Sequence, residues 1–285
     1  RPSWWKRVDS RPDERNRPRG ERRPEWRGNP PVSDPYDLDS GPDPAELAAS
    51  APEPDFASAE HPVDAVGIGP GNLEYLTPRV ERAIRDADVV VGFETVVEFV
   101  REKTNAHLLT CGYRDEAETL ATFADRVADG ESGTAVLMGD PNHSGYQFVG
   151  KVQAAVERPV RVIPGISSLQ VAASRARTPM EETVFVTLHK SGDITPDLRR
   201  LRDEVGDRHL LVLPRPYDWM PEDIAVELLD AGASPSLEAL VLERLTHDDE
   251  EVTTTTLGGL QALTNESDEH TSPFSDLSIL AVRSN

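Results

Sequence analysis

The chain has 285 residues and a formal net charge of −21, and its one cysteine, Cys111, excludes an intrachain disulfide and any cysteine-based metal cluster. No apolar run approaches the roughly 20 residues that span a bilayer, and no apolar segment typical of a secretory signal is present. The acidic balance argues against nucleic acid as the main partner. We therefore expect a cytoplasmic protein that binds neither membrane nor nucleic acid.

Residues 1–62 differ in composition from the rest of the chain. They hold 12 of the 24 prolines, with ten Lys and Arg against five acids in residues 1–28, and eight acids but no base in residues 29–62. Without periodic apolar residues this segment cannot bury enough surface to offset its ordering entropy, so we expect a disordered extension. The alternative is an interaction arm, in which Trp4, Trp5 and Trp26 among the arginines contact nucleic acid or an anionic surface.

Residues 63–285 form the candidate folded body, which is strongly acidic. They carry 20 bases against 38 acids, and the whole chain has only four Lys against 26 Arg. Acidic side chains stay hydrated in concentrated salt, where their repulsion is screened. We interpret this composition as halophilic adaptation rather than as a binding site. A body of this length suits two domains, which we place at 63–178 and 179–285.

The first of these domains alternates predicted strands and helices. An apolar run that begins at Val63 ends in a glycine-rich turn, and Thr77 and Pro78 are typical of the cap and first residue of a helix. Further strands are predicted at 88–92, 107–110, 134–138 and 160–163, with helices at 79–87, 95–103, 116–128, 145–156 and from Ser168 to about Ala176. Such alternation predicts an α/β fold with a parallel sheet covered on both faces.

In the second domain the predicted strands and helices alternate less regularly than in the first. Strands are predicted at 183–188, 209–213, 237–242, 251–256 and 277–282, and helices at 196–204, 221–231 and near Leu260. Because the late strands follow one another closely, we expect antiparallel pairs among them. The second sheet should therefore be mixed.

The glycine-rich turn at 67–71 is the strongest candidate for a ligand site. Gly67, Gly69 and Gly71 allow positive φ angles and a close backbone approach to a ligand, and Pro70 stiffens the turn. The dinucleotide fingerprint G-x-G-x-x-G is not completed, and no Walker lysine follows. The alternative is a tight turn with a packing role only.

Two further turns also follow predicted parallel strands, so all three should meet at one edge of the sheet. They are 139–141 and 164–168. The Asp140 carboxylate is suited to accept hydrogen bonds from ribose hydroxyls or an ammonium group, or else to cap a turn. Ser167 and Ser168 either cap the helix that follows or offer hydroxyl and N–H groups to a carboxylate.

Together these stretches resemble the S-adenosylmethionine-dependent tetrapyrrole (corrin/porphyrin) methylases, over residues 63–285. The turns at 67–71, 139–141 and 164–168 match three family motifs in order, which is much more specific than any one of them. Within the family, segments 164–170, 187–190 and 242–245 are most similar to the branch that methylates carbon 5 of cobalt-precorrin-7 in cobalamin biosynthesis. Lys190-Ser191 departs from that branch, because the basic charge is kept but a glycine is lost.

The resemblance implies two α/β/α domains with the active-site cleft between them, and usually a homodimer. It implies S-adenosyl-L-methionine as cofactor, a cobalt-precorrin as substrate and no metal ligands, with a carbon-15 methylase/decarboxylase as a candidate partner. Carried over by motif, the cofactor-binding residues are Pro70, Met138, Gly139, Asp140, His143, Ser167, Ser168, Leu188 and His189. The substrate-binding residues are Gly69, Pro70, Gly71, Arg114 and Lys190, and Arg175 and Arg177 are further candidates for substrate carboxylates.

Several alternatives stay open. Each basic candidate could instead form a surface ion pair. His143 could be an exposed loop residue, and His189 could lie at a strand end with its hydrogen bonds satisfied within the protein. A methylase of the same fold could act on another ring position or, as a diphthine synthase, on a protein histidine. From other classes, a non-catalytic interaction module and a dinucleotide-dependent oxidoreductase are also considered. No residue is identified that accepts a ring proton.

Overall fold

The computed structural model describes residues 61–190, 192–216, 218–264 and 272–284. All of these belong to one compact unit, Asp34–Asn285. The predicted extension at 1–62 lies almost wholly outside the described residues.

The first sheet has five parallel strands in the order β3-β2-β4-β1-β5. Their bounds are β1 Val63–Gly67, β2 Val89–Phe93, β3 His107–Cys111, β4 Gly133–Leu137 and β5 Val160–Ile163. The central strands are buried on both faces, as expected for runs of valine and alanine in a parallel sheet. β1 lies between β4 and β5, which places its glycine-rich end beside the ends of both neighbours.

Helices cover both faces of this sheet. The helices of the first half are α1 Pro78–Arg85, α2 Glu94–Val100, α3 Glu116–Ala128, α4 Pro141–Ser144, α5 Tyr146–Ala155 and α6 Ser168–Ala176. Apolar residues of α1 and α2 pack with one face of the sheet, and those of α3 and α5 pack with the other. The Thr77 hydroxyl accepts a hydrogen bond from the N–H of Val80 (3.3 Å), which confirms the predicted cap of α1.

The second sheet is mixed, with the order β6-β7-β10-β8-β9. Its strands are β6 Thr183–Thr187, β7 His209–Leu213, β8 Glu238–Glu243, β9 Glu251–Thr256 and β10 Ser278–Val282. β6 and β7 are parallel, whereas β10 is antiparallel to both β7 and β8, and β8 to β9. One face packs with α7 Thr195–Glu204, α8 Pro221–Asp230 and α9 Leu257–Thr264.

The other face of the second sheet packs against α6, which follows the last strand of the first sheet. Leu169 and Ala172 of α6 share a core with Leu211, Leu242 and Ala281 of the second sheet. Tyr75, which follows the glycine-rich turn, packs against the same core. This apolar contact brings the site-bearing turns of the first sheet close to the second sheet.

The predicted α/β class, with a parallel first sheet and a mixed second sheet, is confirmed, and each predicted strand or helix differs from the observed one by a few residues at most. The exceptions are α4 and the short 3₁₀ turns Leu73–Tyr75, Arg101–Lys103 and Met180–Glu182, none of which was predicted separately. The boundary after residue 178 stays a prediction. Within the described ranges, no helix has the length and apolar character needed to cross a membrane.

Candidate functional site

The three predicted turns meet at one edge of the first sheet. The Gly139 N–H donates to the Gly69 carbonyl (2.7 Å), and the Gly69 N–H donates back to the Gly139 carbonyl (3.3 Å). The Ile68 N–H donates to the Leu137 carbonyl (2.8 Å), so the hydrogen bonding between β1 and β4 continues beyond the strands. The first two turns thus form a continuous backbone surface.

The third turn joins this surface by close backbone contact at Gly165. A Cβ atom on Gly165 would lie less than 3.0 Å from the carbonyl oxygens of both Gly67 and Gly139. Real Cβ atoms do not approach other atoms so closely, so the three turns can pack in this way only if residue 165 is glycine.

Asp140 holds two of the turns together. Its side chain is almost fully buried, with 7% of the residue exposed. Oδ1 accepts a hydrogen bond from the Asn142 N–H (2.9 Å), which caps α4, and Oδ2 accepts one from the Gly165 N–H (3.1 Å). The capping alternative is therefore present in the structure, and the carboxylate also positions the third turn.

Ser167 and Ser168 have different environments. Ser167 is buried and forms a capping box, since its hydroxyl accepts from the Leu169 N–H (3.1 Å) and its own N–H donates to the Gln170 side chain (2.7 Å). Ser168 is the first residue of α6 and is partly exposed. The structure thus gives the Ser167 hydroxyl a capping role and leaves Ser168 accessible to a ligand.

We expect alanine substitutions to distinguish the structural role of Ser167 from the ligand-binding role of Ser168. Ser167→Ala should lower the free energy of unfolding by about 1 kcal/mol, because it removes a helix cap. Ser168→Ala should leave stability within about 0.5 kcal/mol of the parent, because exposed positions tolerate change, and weaken S-adenosylhomocysteine binding instead. Urea unfolding and titration calorimetry measure the two effects. Equal losses of affinity in both variants would contradict this division.

His143 and Met138 flank the Asp140 turn. Met138 is half-buried beside the core of the first sheet, and His143 is an exposed residue of α4. The His143 ring lies edge-on to the ring of Phe185 in β6, with centroids 5.8 Å apart. The side of the site that carries His143 therefore touches the second sheet.

Residues 188–190 follow β6, and only part of this segment can contact a ligand through side chains. Leu188 is fully buried in the core beneath α7 and α8, so its side chain points away from the edge of the first sheet. Leu188 can therefore contact a cofactor only through its backbone. Lys190 lies 2.6 Å from a carboxylate oxygen of Asp197, which matches the ion-pair alternative.

His189 is an exposed residue whose ring is partly shielded by neighbouring protein atoms. This desolvation lowers the pKa of His189 from its usual 6.5, and the Pro214 carbonyl and the Asp276 carboxylate partly oppose the shift. The neutral imidazole is therefore the favoured form at neutral pH, and a neutral ring suits contact with an uncharged group.

The other basic candidates lie at different places. Arg114 is exposed in the turn after β3, at the same edge of the sheet as the glycine-rich turn. Arg175 pairs with Glu250 through two hydrogen bonds (2.6 and 3.3 Å) and also bonds the Tyr75 side chain. Arg177 ends α6 in a left-handed conformation, with φ 55°. Arg175 is thus an ion-pair residue, as one alternative proposed.

Sequence reasoning missed the loop 244–250, although the motif at 242–245 marks its start. The Asn72 side chain donates to the Thr246 carbonyl (3.1 Å), and the His247 ring packs against Gly71. Arg244 and Thr246 have positive φ angles of 45° and 71°, which is strained for residues with side chains, and for β-branched Thr246 above all. This loop carries the contact of the second sheet with the glycine-rich turn.

The ion pair of Arg175 with Glu250 ties α6 to this loop, since Glu250 also accepts a hydrogen bond from the Thr246 N–H (2.7 Å). The hydrogen bond and charge of Arg175 lower the pKa of Glu250 from 4.5. A lowered pKa contributes stability that is present above pH 4.5 and is lost as the pH falls through the folded-state value.

We expect Glu250→Gln to lower stability at pH 7 by about 1 kcal/mol or less, because solvent screens a partly exposed pair. Glutamine keeps an acceptor for the Thr246 N–H, so the loss reports the charge of Glu250 and its hydrogen bond with the Arg175 Nε–H. The difference between the parent and the variant should shrink as the pH falls from 4.5 through the lower folded-state pKa, below which Glu250 is protonated in both the folded and the unfolded parent. Thermal unfolding from pH 7 to pH 3 measures it, and a constant difference would contradict the assignment.

The arrangement fits a nucleoside-type ligand with a carboxylate end. The backbone surface of the three turns lies beside the start of α6, where the helix dipole favours a negative group. The accessible Ser168 hydroxyl adds a polar contact, and Met138 and Phe185 add apolar ones. In the part of the chain that the structure describes, no cluster of three or more His, Cys, Asp or Glu residues could hold a metal ion.

Comparison with known proteins identifies similar chains. The family profile described as Tetrapyrrole (Corrin/Porphyrin) Methylases matches residues 63–261. A probable cobalt-precorrin-7 C(5)-methyltransferase of Methanocaldococcus jannaschii is 30% identical over 188 residues, which cover 66% of this chain and 85% of the relative. A cobalt-precorrin-4 C(11)-methyltransferase of Priestia megaterium is 24% identical over 206 residues, which cover 68% of this chain and 79% of the relative.

Among solved structures, a uroporphyrin-III C-methyl transferase of Thermus thermophilus, crystallised with S-adenyl homocysteine, has a TM-score of 0.56 at 22% identity. The match covers 78% of this chain and 92% of that protein. This likeness supports the two-sheet fold, and the family match includes all three turns of the candidate site.

Proposed function

Because this chain belongs to the tetrapyrrole (corrin/porphyrin) methylase family, we propose that it methylates carbon 5 of cobalt-precorrin-7 in cobalamin biosynthesis. It is an S-adenosyl-L-methionine-dependent methyltransferase, as are the members of this family. The ring position is the specific part of the proposal, and it rests on the relative from Methanocaldococcus jannaschii.

The observation that carries the proposal is the meeting of the three turns at one edge, next to the second sheet. Motifs nearly 100 residues apart form one backbone surface at Gly69, Gly139 and Gly165. On one side His143 reaches Phe185 of the second sheet, and on the other Gly71 touches His247. A cofactor held there would lie between the two sheets.

Our proposed roles follow from this placement. The bound cofactor supplies a methyl carbon that its sulfonium makes electrophilic. The start of α6 and Ser168 hold its carboxylate or ribose, and Met138 and Gly139 lie along the methionine and ribose part. Asp140 keeps the turns in position, and His143 lies with Met138 and Gly139 along the methionine and ribose part. His189 and the backbone of Leu188 contact the cofactor from the side of the second sheet. A groove closed in this way excludes water and aligns the ring carbon with the methyl group.

The proposed substrate is a flat macrocycle with many carboxylates. Pro70 and its neighbours Gly69 and Gly71 border it, and Arg114 binds a peripheral carboxylate at the same edge of the sheet. Lys190 binds a substrate carboxylate only if it first leaves the ion pair that it forms with Asp197 in the structure. We also propose a homodimer, and a carbon-15 methylase/decarboxylase as an interaction partner.

The test uses the full chain in concentrated salt with a methyl-¹³C-labelled cofactor and a set of cobalt-precorrins. We expect the product to gain one methyl group by mass, with the label at carbon 5 in the carbon spectrum. Label at carbon 11 or another position would reassign the substrate within the family. Transfer to a modified protein histidine, and to no tetrapyrrole, would overturn the proposal.

A further inference from the structure

We propose that His247 accepts the proton released by the macrocycle during methylation. The inference rests on the proposed function and adds a catalytic residue to it. It starts from the contact between the His247 ring and the glycine-rich turn. A Cβ atom on Gly71 would lie 2.5 Å from Nε2 and 2.8 Å from Cε1 of His247, so the imidazole occupies the space beside the Gly71 backbone, with Nε2 nearest.

Methylation of a ring carbon requires such an acceptor. When the new carbon–carbon bond forms, the carbon–sulfur bond breaks and its electron pair stays on sulfur, so the positive charge passes to the macrocycle. A ring C–H or N–H bond must then break, returning its electron pair to the conjugated system. The proton goes to Nε2 of His247 and later to solvent, which balances the reaction.

His247 is better placed for this role than the other described histidines. His61 and His107 lie at the amino ends of parallel strands, opposite the edge where the turns meet. His209 begins β7, where its Nδ1 accepts the Ser284 N–H (3.0 Å). His189 hydrogen-bonds the Pro214 carbonyl, and His143 packs edge-on against Phe185, on the side of the site proposed to hold the cofactor.

The surroundings of His247 suit a proton acceptor. The charged residues of its own loop are Arg244, Asp248, Asp249 and Glu250, and Arg175 on α6 bonds both Glu250 and the Tyr75 side chain. Arg175 is paired with Glu250, and Arg244 with Asp249, so the nearby positive charges are offset by carboxylates. These residues are three acids and two bases with a tyrosine, so their net charge does not repel an arriving proton.

The backbone of the loop is also strained, at the residue before His247. Thr246 is only 8% exposed, has a positive φ, and its Oγ1 atom is buried without a hydrogen-bond partner among the described residues. Strained backbone of this kind is retained where the surroundings enforce it, and it clusters at functional sites. Asn72 and Glu250 hold the two backbone polar groups of Thr246, which fixes the position of His247 next to it.

The test compares His247→Asn and His247→Gln with the parent and with the matched control His107→Asn, on the exposed edge strand. We expect both His247 variants to lose about 100-fold in kcat, the lower range for general base catalysis, and to lose the acidic limb of the pH profile. S-adenosylhomocysteine affinity by calorimetry and the melting temperature should stay within about twofold and 3 °C of the parent, since neither depends on proton transfer. His107→Asn should match the parent in all readouts.

Each outcome separates the role of His247 from the proposed function. A parent that methylates a cobalt-precorrin, with His247 variants of unchanged kcat and pH profile, would overturn the role of His247 alone. That role also falls if the variants lose cofactor affinity and stability along with kcat, or if His143→Asn removes the acidic limb instead. A parent that methylates no tetrapyrrole would overturn the proposed function and the role of His247 with it.

Discussion

Replacing Gly165 with alanine is expected to abolish S-adenosylhomocysteine binding at micromolar ligand and to destabilise the fold by about 3 kcal/mol, the upper range for overpacking. The new methyl group would collide with the carbonyl oxygens of Gly67 and Gly139, and neither can rotate away as a flexible side chain could. Both oxygens belong to turns fixed by β1 and β4. The three turns must therefore separate, which removes the surface proposed to bind the cofactor.

The matched control is Gly112→Ala, in the turn after β3. A Cβ atom there would approach only an Asp115 oxygen, at 3.5 Å, which is an ordinary contact. That variant should keep the parent affinity and melting temperature. Gly165→Ala should lower the melting temperature by roughly 6–12 °C, from 2–4 °C per kcal/mol for a domain of this size. Calorimetry and thermal unfolding measure both variants, and a Gly165→Ala protein that binds like the parent would show that the turns do not form the site.

The sequence predicted the elements of the first sheet well because its strands are short, apolar and bounded by turns. The same logic placed the three motifs together, since the carboxyl ends of parallel strands must meet at one edge. The short helix α4 was missed because four residues are too few to show a helical period, although Asp140-Pro141 has the composition of a cap and first residue.

The positions of individual side chains were harder to predict. Val184, Val186 and Leu188 alternate along β6 and its end, and this period of two indicates that Leu188 shares the buried face. The contact of His247 with Gly71 had no such signal. It depends on how the second sheet packs against α6 and Tyr75, between residues more than 170 positions apart. Local patterns do not encode that distance, so the loop 244–250 emerged only from the structure.

The second large effect on cofactor binding is expected for Asp140→Ala. Alanine at this position leaves the N–H groups of Asn142 and Gly165 without their acceptor in a nearly water-free place, where an unpaired group costs about 1–3 kcal/mol. S-adenosylhomocysteine affinity should fall by about 1–3 kcal/mol, roughly 5- to 150-fold, because the turn at Gly165 is no longer held against the turn at Gly139. The affinity of Asp140→Asn should lie between those of the parent and Asp140→Ala, since the amide keeps one acceptor oxygen for two donors.

A suitable control is Asp88→Ala, at the opposite edge of the same sheet. Oδ2 of Asp88 accepts hydrogen bonds from the Ser132 N–H (2.9 Å) and hydroxyl (2.7 Å), so its loss also removes two bonds, but at an exposed place far from the turns. Asp88→Ala should lower stability slightly and leave affinity unchanged. If Asp140→Ala binds S-adenosylhomocysteine as tightly as Asp88→Ala does, Asp140 neither contacts the cofactor nor positions the groups that do. The site would then have to lie away from the edge where the three turns meet.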